Sequence, residues 1–527
     1  MRHLINTKIL LPIILIAGIT LFIGIANTIY LDQSEDLDNG DQLGHLIESI
    51  SVYNHETELQ SYRSSPGIYY ITAFLYKIFG TNEYVAISTN LLFLILLLIS
   101  TYVITYYFSQ NMLTSTYAII LVSLYPMTYG LSRYYLVGLS LMASVCFCIA
   151  MFILSDNFKR QRYSLLLGIA IGIGPLSKES FPIFILPIGL IALFKICKEK
   201  LSSEKIINLI ICLLSANIFL SLWLFRNFIE ILGDSLMRGH YCLPTDSAIS
   251  IFPISKFLFY LNPLINFIIS PGLFLLFIIA LIPFIKKNKK DKIILFSWIL
   301  FPLLFFSFFN SRMARYIAPI VPAFAIITAL GIQHFSRRTR NLLYIISILF
   351  AFIQFFATSF PVPFLSKEYF IETKAVATLF SSHPRNYHFD FDINPPKKRS
   401  SGGKEILAAI KRYQDAHNIK NIHVCIIHNR ISRKQKLFIE GPFATSLQYY
   451  NINNEDYNYN LIDAFLTEKH ILLERGSHTP LLLSSFNILI AYDKPLEHTY
   501  DFVLEEKITT NNHLLNESEE IFMYVRK

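Results

Sequence analysis

Charge is what this sequence has least of. Only 16% of its 527 residues are Asp, Glu, Lys or Arg, against about 25% in soluble domains. With 53% hydrophobic residues and a mean hydropathy of +0.45, that deficit excludes a water-soluble globule for most of the chain. Cysteine is scarce as well: the six present form no C-x-x-C pair, which removes the paired-cysteine zinc and redox motifs. Cys146, Cys148, Cys197 and Cys212 fall in or beside apolar runs and read as small core residues. Cys242 and Cys425 lie in polar stretches, and nothing in the sequence pairs them. Internal repeats and low-complexity tracts are missing. So is a small-residue cleavage site after the first apolar run, Ile9 to Tyr30, so this run reads as a retained first span rather than a cleaved signal.

What is present is hydrocarbon-soluble sequence in long runs. A span needs about 20 apolar residues, and window by window the sequence predicts about eleven. They lie near 9–30, 84–108, 112–130, 134–155, 163–177, 180–196, 205–225, 264–285, 292–310, 316–333 and 341–359. The excess of cations, net +9, falls largely in short loops between them, such as KKNKKDK at 286–292 and HFSRRTR at 334–340. The positive-inside rule places these loops and the N-terminus in the cytoplasm. The charge therefore calls for membrane lipids as neighbours, not nucleic acid. Apolar windows stop near Phe360, and 361–527 has ordinary soluble composition. The expected fold is a polytopic α-helical membrane protein over 1–360, with an outer loop at 31–67, and a C-terminal extracytoplasmic α/β domain over 361–527. Within that domain Lys404 to His417 reads as a helix, Asn421 to His428 and Phe486 to Tyr492 as strands, and Asn460 to Lys469 as a helix. His423, Cys425 and His428 read as strand packing, not a metal site. Ile-, Asn- and Lys-rich usage with no eukaryotic sorting signal points to a bacterial inner membrane.

Two features break the apolar monotony. The first outer loop is acidic, with Asp32, Glu35, Asp36, Asp38 and Asp41 followed by His45 and Glu48. Against the positive-inside rule, Arg133, Lys178, Arg226, Arg312 and Arg315 sit at predicted outer ends of spans. Snorkelling explains any one of them as readily as function does. Five on one face opposite an acidic loop predict a site for a membrane-embedded anion, best a lipid phosphate. A carboxylate beside such a site suits general base work: it takes the proton of an acceptor hydroxyl or amine while the cations stabilise the departing phosphate.

The order of short motifs resembles the GT-C superfamily of polytopic glycosyltransferases, in the branch of protein O-mannosyltransferases and lipid A aminoarabinose transferases. Asp41-Gln-Leu-Gly-His45-Leu-Ile-Glu48 is similar to the family's first-loop aspartate setting, with His for Tyr and Glu for Ala. Ser65-Pro66-Gly67-Ile68-Tyr69-Tyr70 resembles its Pro-Pro-hydrophobic-Tyr element. GIAIGIGPLSK at 168–178 is similar to its glycine-rich span ending in Lys, LWLFRN at 222–227 to its W-x-x-R-N element, and RYIAPIVP at 315–322 to its R-Y-x-x-P-x-x-P element. The resemblance covers about 1–360. It implies Asp41 as the catalytic carboxylate, with Asp38 or Asp36 as alternatives. It also implies phosphate contacts from Lys178, Arg226, Arg312, Arg315 and Arg133, and a groove lined by Tyr69, Tyr70, Tyr316 and His45. The implied donor is a polyprenyl-phosphate-linked sugar, the acceptor a glycolipid, glycan or protein. No metal ligand set stands out; a divalent cation, where one is used, belongs to the acidic loop. One departure is plain: the family's acid shortly after the third-loop Arg is replaced by Tyr134-Tyr135-Leu136-Val137-Gly138. The competing readings are a transporter or lipid flippase, disfavoured by the near absence of mid-span charge, and a non-catalytic relative.

Overall fold

The computed structural model describes residues 2–34, 40–55, 65–198, 202–221, 260–287, 292–307, 313–365, 369–370, 396, 403–417, 423–429, 460–466, 472–474, 480–481, 488–492, 502–512 and 517–526. They form two compact units. The first comprises Met1–Tyr30, His55–Leu75 and Tyr84–Pro396; the second comprises Leu31–Asn54, Tyr76–Glu83 and Lys397–Lys527.

Hydrocarbon-soluble helices make the first unit. Among the described residues seven helices are long and apolar enough to cross a membrane: Leu10–Ser34, Glu83–Ser109, Val137–Ser155, Phe181–Lys198, Ser203–Ser221, Ala314–Ile332 and Arg337–Ser359. An eighth span results if Tyr260–Ile268 and Pro271–Lys287, bent by 108° at their junction, count as one broken helix. The differences from the expected eleven have local causes. The run at 112–130 divides into Met112–Ser123 and Pro126–Arg133, because a proline has no N–H to continue a helical ladder and favours the start of a new one. The run near 163–177 is helical over Gln161–Ser177, 17 residues, short of the ~20 a full crossing needs; in the run near 292–310 the described helix is Lys292–Ser307, and 308–310 lie outside the described residues.

Depth in the bundle follows the packing. The most apolar windows of Val137–Ser155 and Ala314–Ile332 are 78% and 89% buried inside the protein, whereas those of Leu10–Ser34 and Ser203–Ser221 are 28% and 22% buried. The outer pair keeps Leu and Ile side chains on the surface, where lipid replaces a protein core. The glycines of Gln161–Ser177 pack as their small size predicts. A Cβ at Gly168 would collide with the Cys212 carbonyl, and one at Gly172 would lie 2.7 Å from the Ala216 carbonyl. Close helix approach in a bilayer is bought with small residues of this kind.

One tie holds the segment that later carries the site. Trp298, fully buried, donates its indole N–H to the Pro319 carbonyl at 2.9 Å, fixing the 3₁₀ helix Ala314–Ile320 against Lys292–Ser307. Trp298→Phe keeps a six-membered aromatic ring but removes the indole N–H, so it orphans a buried carbonyl and leaves a small cavity. It is expected to cost about 1–3 kcal/mol, read as a lowered melting temperature of the purified protein; an unchanged midpoint would show the tie to be dispensable.

The second unit contains a seven-stranded mixed sheet. Its strands are β1 (His423–Asn429), β2 (Asn460–Leu466), β3 (Leu472–Glu474), β4 (Pro480–Leu481), β5 (Ile488–Tyr492), β6 (Phe502–Asn512) and β7 (Glu517–Arg526), in the order β4-β3-β2-β1-β5-β7-β6. β1 lies at the centre, parallel to both β2 and β5. β3, β4, β6 and β7 extend the edges in antiparallel fashion. The helix Gly403–His417 buries Ile406, Leu407, Ala409 and Ile410. The helix expected at 404–417 is present, and the strands expected at 421–428 and 486–492 are present over 423–428 and 488–492; 421, 422, 486 and 487 lie outside the described residues. The helix expected at 460–469 is a strand over Asn460–Leu466, because pairing with β1 decides a short apolar run that fits either period.

Candidate functional site

The site begins where two distant segments meet. The helix Gln161–Ser177 ends at Lys178, whose backbone is extended (φ −168°, ψ 142°). Against this end packs the start of the helix Gly67–Phe79: a Cβ at Gly67 would lie 2.6 Å from the Leu176 carbonyl. Only glycine allows that approach. Two residues earlier, the buried Ser65 donates its hydroxyl to Glu179 Oε2 at 3.2 Å. The Ser65-Pro66-Gly67 element and the glycine-rich span ending in Lys are thus in direct contact.

Lys178 turns to the other partner. Its Nζ lies 5.0 Å from the centroid of the Tyr316 ring, an attraction between an ammonium and a ring face. Tyr316 touches Phe306 (6.1 Å between centroids), which touches Phe184 (5.6 Å), so the ring is braced by Lys292–Ser307 and Phe181–Lys198. Arg315 precedes Tyr316 on the same 3₁₀ helix and reaches Met313 Sδ with its guanidinium at 3.4 Å. Lys178, Arg315 and Tyr316 are all half-buried. The structure lays the Lys178 ammonium on the Tyr316 ring, and Arg315 precedes Tyr316 in the chain, so this seam offers one ammonium, one guanidinium and one phenol. Those groups suit a phosphate, the guanidinium by paired donors and the ammonium as a point charge. Ser65 and Glu179 belong to the same seam, and reading for misplaced cations passed over Glu179 because it is an acid.

Arg133 is a correction. It was expected in an open ring of cations, but it is only 2% exposed. Its guanidinium carbon lies 4.7, 5.0 and 5.4 Å from the ring centroids of Tyr30, Tyr129 and Phe355, and Nη2 donates to Ser359 Oγ. Around it, Asn27 Nδ2 donates to the Ser132 carbonyl at 3.1 Å and Asn90 Nδ2 to the Tyr134 carbonyl at 2.6 Å. A cation in the last turn of Pro126–Arg133 also suits that helix's negative end. The aromatic cage, with Tyr129 bonded to Thr358 at 2.7 Å, makes Arg133 a lock joining the first and last spans to this short helix. Tyr69 is a second correction: it is fully buried in the packing and lines no open groove, while Tyr70 on the same helix is 41% exposed.

The acidic loop is partly described. Asp41 lies in the first turn of the helix Gly40–Tyr53, and His45 is half-buried further along it. Asp36, Asp38, Arg226 and Arg312 lie outside the described residues. Among the described residues no group of three or more His, Cys, Asp or Glu is placed to hold a metal ion. On the same helix burial raises the Glu48 carboxyl above its ordinary value. A raised carboxylate contributes stability that is full below the unfolded value and is lost as pH rises through the folded one. Glu48→Gln is accordingly expected to melt with wild type at about pH 4 and above it at about pH 8. Parallel melting curves at both pH values would refute the burial argument.

Residues 63–229 match the family model described as dolichyl-phosphate-mannose-protein mannosyltransferase. Over that segment the resemblance to glycosyltransferases has its support. The matched segment contains Ser65, Gly67, Lys178 and Glu179, and it supports a membrane glycosyltransferase. An uncharacterized protein of Aquifex aeolicus (strain VF5) is 24% identical over 399 residues, 72% of this chain and 77% of that one. Among solved structures, ArnT from Cupriavidus metallidurans bound to undecaprenyl phosphate is 13% identical with a TM-score of 0.48, over 84% of this chain and 76% of that one. The Archaeoglobus fulgidus oligosaccharyltransferase, tethered with an acceptor peptide, is 10% identical with a TM-score of 0.45, over 82% and 63%. Both are loose likenesses.

Proposed function

We propose that this protein transfers a sugar from a polyprenyl-phosphate-linked donor to a glycolipid, glycan or protein acceptor at the outer face of a bacterial inner membrane. The observation that carries the reading is the seam of Lys178, Arg315 and Tyr316 beside Ser65-Pro66-Gly67, overlapping the segment matched by the mannosyltransferase model. In the reaction, the acceptor oxygen or nitrogen forms a bond to the anomeric carbon. The bond from that carbon to the phosphate oxygen breaks, and its electron pair leaves on the polyprenyl phosphate. Lys178 and Arg315, with Arg226 and Arg312, hold the phosphate as its charge grows, and Asp41, or its neighbours Asp38 and Asp36, takes the acceptor's proton.

Arg133 takes no part in phosphate binding in this reading. The carboxylate that follows the third-loop Arg in the family is missing here, so the acceptor side rests on the first loop. In this reading the C-terminal domain, 361–527, is extracytoplasmic. The test is direct: purified protein in detergent is given undecaprenyl-phosphate-linked mannose, glucose or 4-amino-4-deoxyarabinose with a membrane extract as acceptor source. Release of undecaprenyl phosphate above the no-protein rate is the expected result. Movement of the lipid between leaflets of a vesicle without release of undecaprenyl phosphate would replace this reading with a flippase.

A further inference from the structure

Behind the 3₁₀ helix of Arg315 and Tyr316 sits the most irregular stretch of the described bundle. Tyr260–Ile268 meets Pro271–Lys287 at a 108° bend, and Leu264–Ile268 is wound as a π-helix. Windings of this kind collect at functional sites, since they re-aim side chains at the cost of backbone bonds. Ser270, at the junction, has φ +83°, a left-handed conformation that disfavours any residue with a Cβ. Strain of this sort persists only where surrounding structure imposes it.

The polar groups here are as unusual as the backbone. Asn262, Asn266 and Ser270 follow one another at four-residue intervals and are 7%, 1% and 0% exposed. Asn266 Nδ2 donates to Asn262 Oδ1, so the two amides lie side by side. Asn266 Oδ1 and the Ser270 hydroxyl have no hydrogen-bond partner among the described residues. Buried donors and acceptors of this kind are costly to leave unmet. The π-wound segment packs on Pro126–Arg133 and on Ala314–Ile320, the element that carries Arg315 and Tyr316. No carboxylate or cation is among the three polar groups. Their chemistry is that of amides and a hydroxyl, which exchange neutral hydrogen bonds with hydroxyl groups.

We propose that the broken helix 260–270 reads the sugar of the donor, with Asn266 and Ser270 hydrogen-bonding its hydroxyl groups while the neighbouring cations hold the phosphate. This rests on the lipid-phosphate-sugar reading above. A site built to bond a hydroxyl penalises a ligand that lacks it, because its own buried groups then stay unpaired. The protein should therefore prefer the sugar-bearing lipid to the bare lipid phosphate, and should lose that preference when these side chains are removed.

Ser270→Gly separates this from a purely structural role. Glycine accepts φ +83° freely and removes a buried unpaired hydroxyl, so a structural role predicts a more stable, equally active protein. The inference predicts raised or unchanged melting temperature together with about a tenfold or greater rise in KM for the sugar-bearing lipid. Asn266→Ala is the second variant, read by the same comparison. Thermal shift with undecaprenyl phosphate, and with its mannose, glucose and 4-amino-4-deoxyarabinose esters, supplies the binding readout. Wild type is expected to be stabilised more by at least one sugar ester than by bare lipid phosphate, with both variants reduced to the bare-lipid shift. Equal shifts for wild type and variants, or a wild type that favours no ester over bare lipid phosphate, would overturn the inference. A wild type that binds an ester preferentially but transfers no sugar would leave the sugar-reading wall standing and remove the transferase reading.

Discussion

Lys178→Met is expected to slow sugar transfer by about 10²–10³-fold while the protein stays folded, the range seen when a preorganised charge-stabilising donor is lost. The side chain leaves an extended, non-helical position and lays its ammonium over Tyr316 at 5.0 Å. Methionine keeps an unbranched apolar side chain of similar length and removes the charge, so a fall in rate reports electrostatics more than lost packing. The loss should be larger in kcat than in KM, because a phosphate gains charge as the glycosidic bond breaks and the ammonium matters most at that point. Lys178→Arg restores charge in a planar fork of different reach and is expected to recover the rate only in part. Initial rates and melting curves on the same preparations decide it. A Lys178→Met protein that transfers sugar at the wild-type rate would remove the seam from the mechanism.

Much of this was legible in the sequence, and the illegible parts share a cause. Hydropathy located the apolar elements because a bilayer forces each backbone to satisfy itself within one helix. The short motifs located Lys178 and Tyr316 because each lies beside a local signal: a glycine-rich span in one case, a Pro-spaced run in the other. Arg133 was misjudged because its environment is nonlocal. Tyr30 lies about a hundred positions before it, and Phe355 and Ser359 more than two hundred after it. A charge out of place looks the same whether it waits for an anion or is already enclosed by rings. The strand at Asn460–Leu466 failed for the same reason, since its identity depends on β1, more than thirty residues earlier. The break at Ser270 was equally hidden: Ile-Ile-Ser-Pro-Gly at 268–272 marks an interruption of the apolar run, but only the fold shows that it buries two amides and a hydroxyl.

Asp41→Asn is expected to reduce transfer by about 10²–10⁴-fold, the share of a rate that a positioned general base supplies. Asparagine has the same shape and can still accept a hydrogen bond from the acceptor, but it cannot take its proton. Binding of the lipid donor should therefore be untouched while kcat falls, and the thermal shift given by the donor should match wild type. Asp38→Asn and Asp36→Asn discriminate within the cluster: the variant that alone loses the rate identifies the base. The double variant Asp41→Asn with Lys178→Met tests whether base and cation act in one step. Two groups serving the same transition state give losses that do not add, the second removal costing less once the first has been made. Two independent effects would multiply instead. A double variant whose loss equals the product of the single losses would mean that Asp41 and Lys178 stabilise the transition state independently, with no cooperation between base and cation.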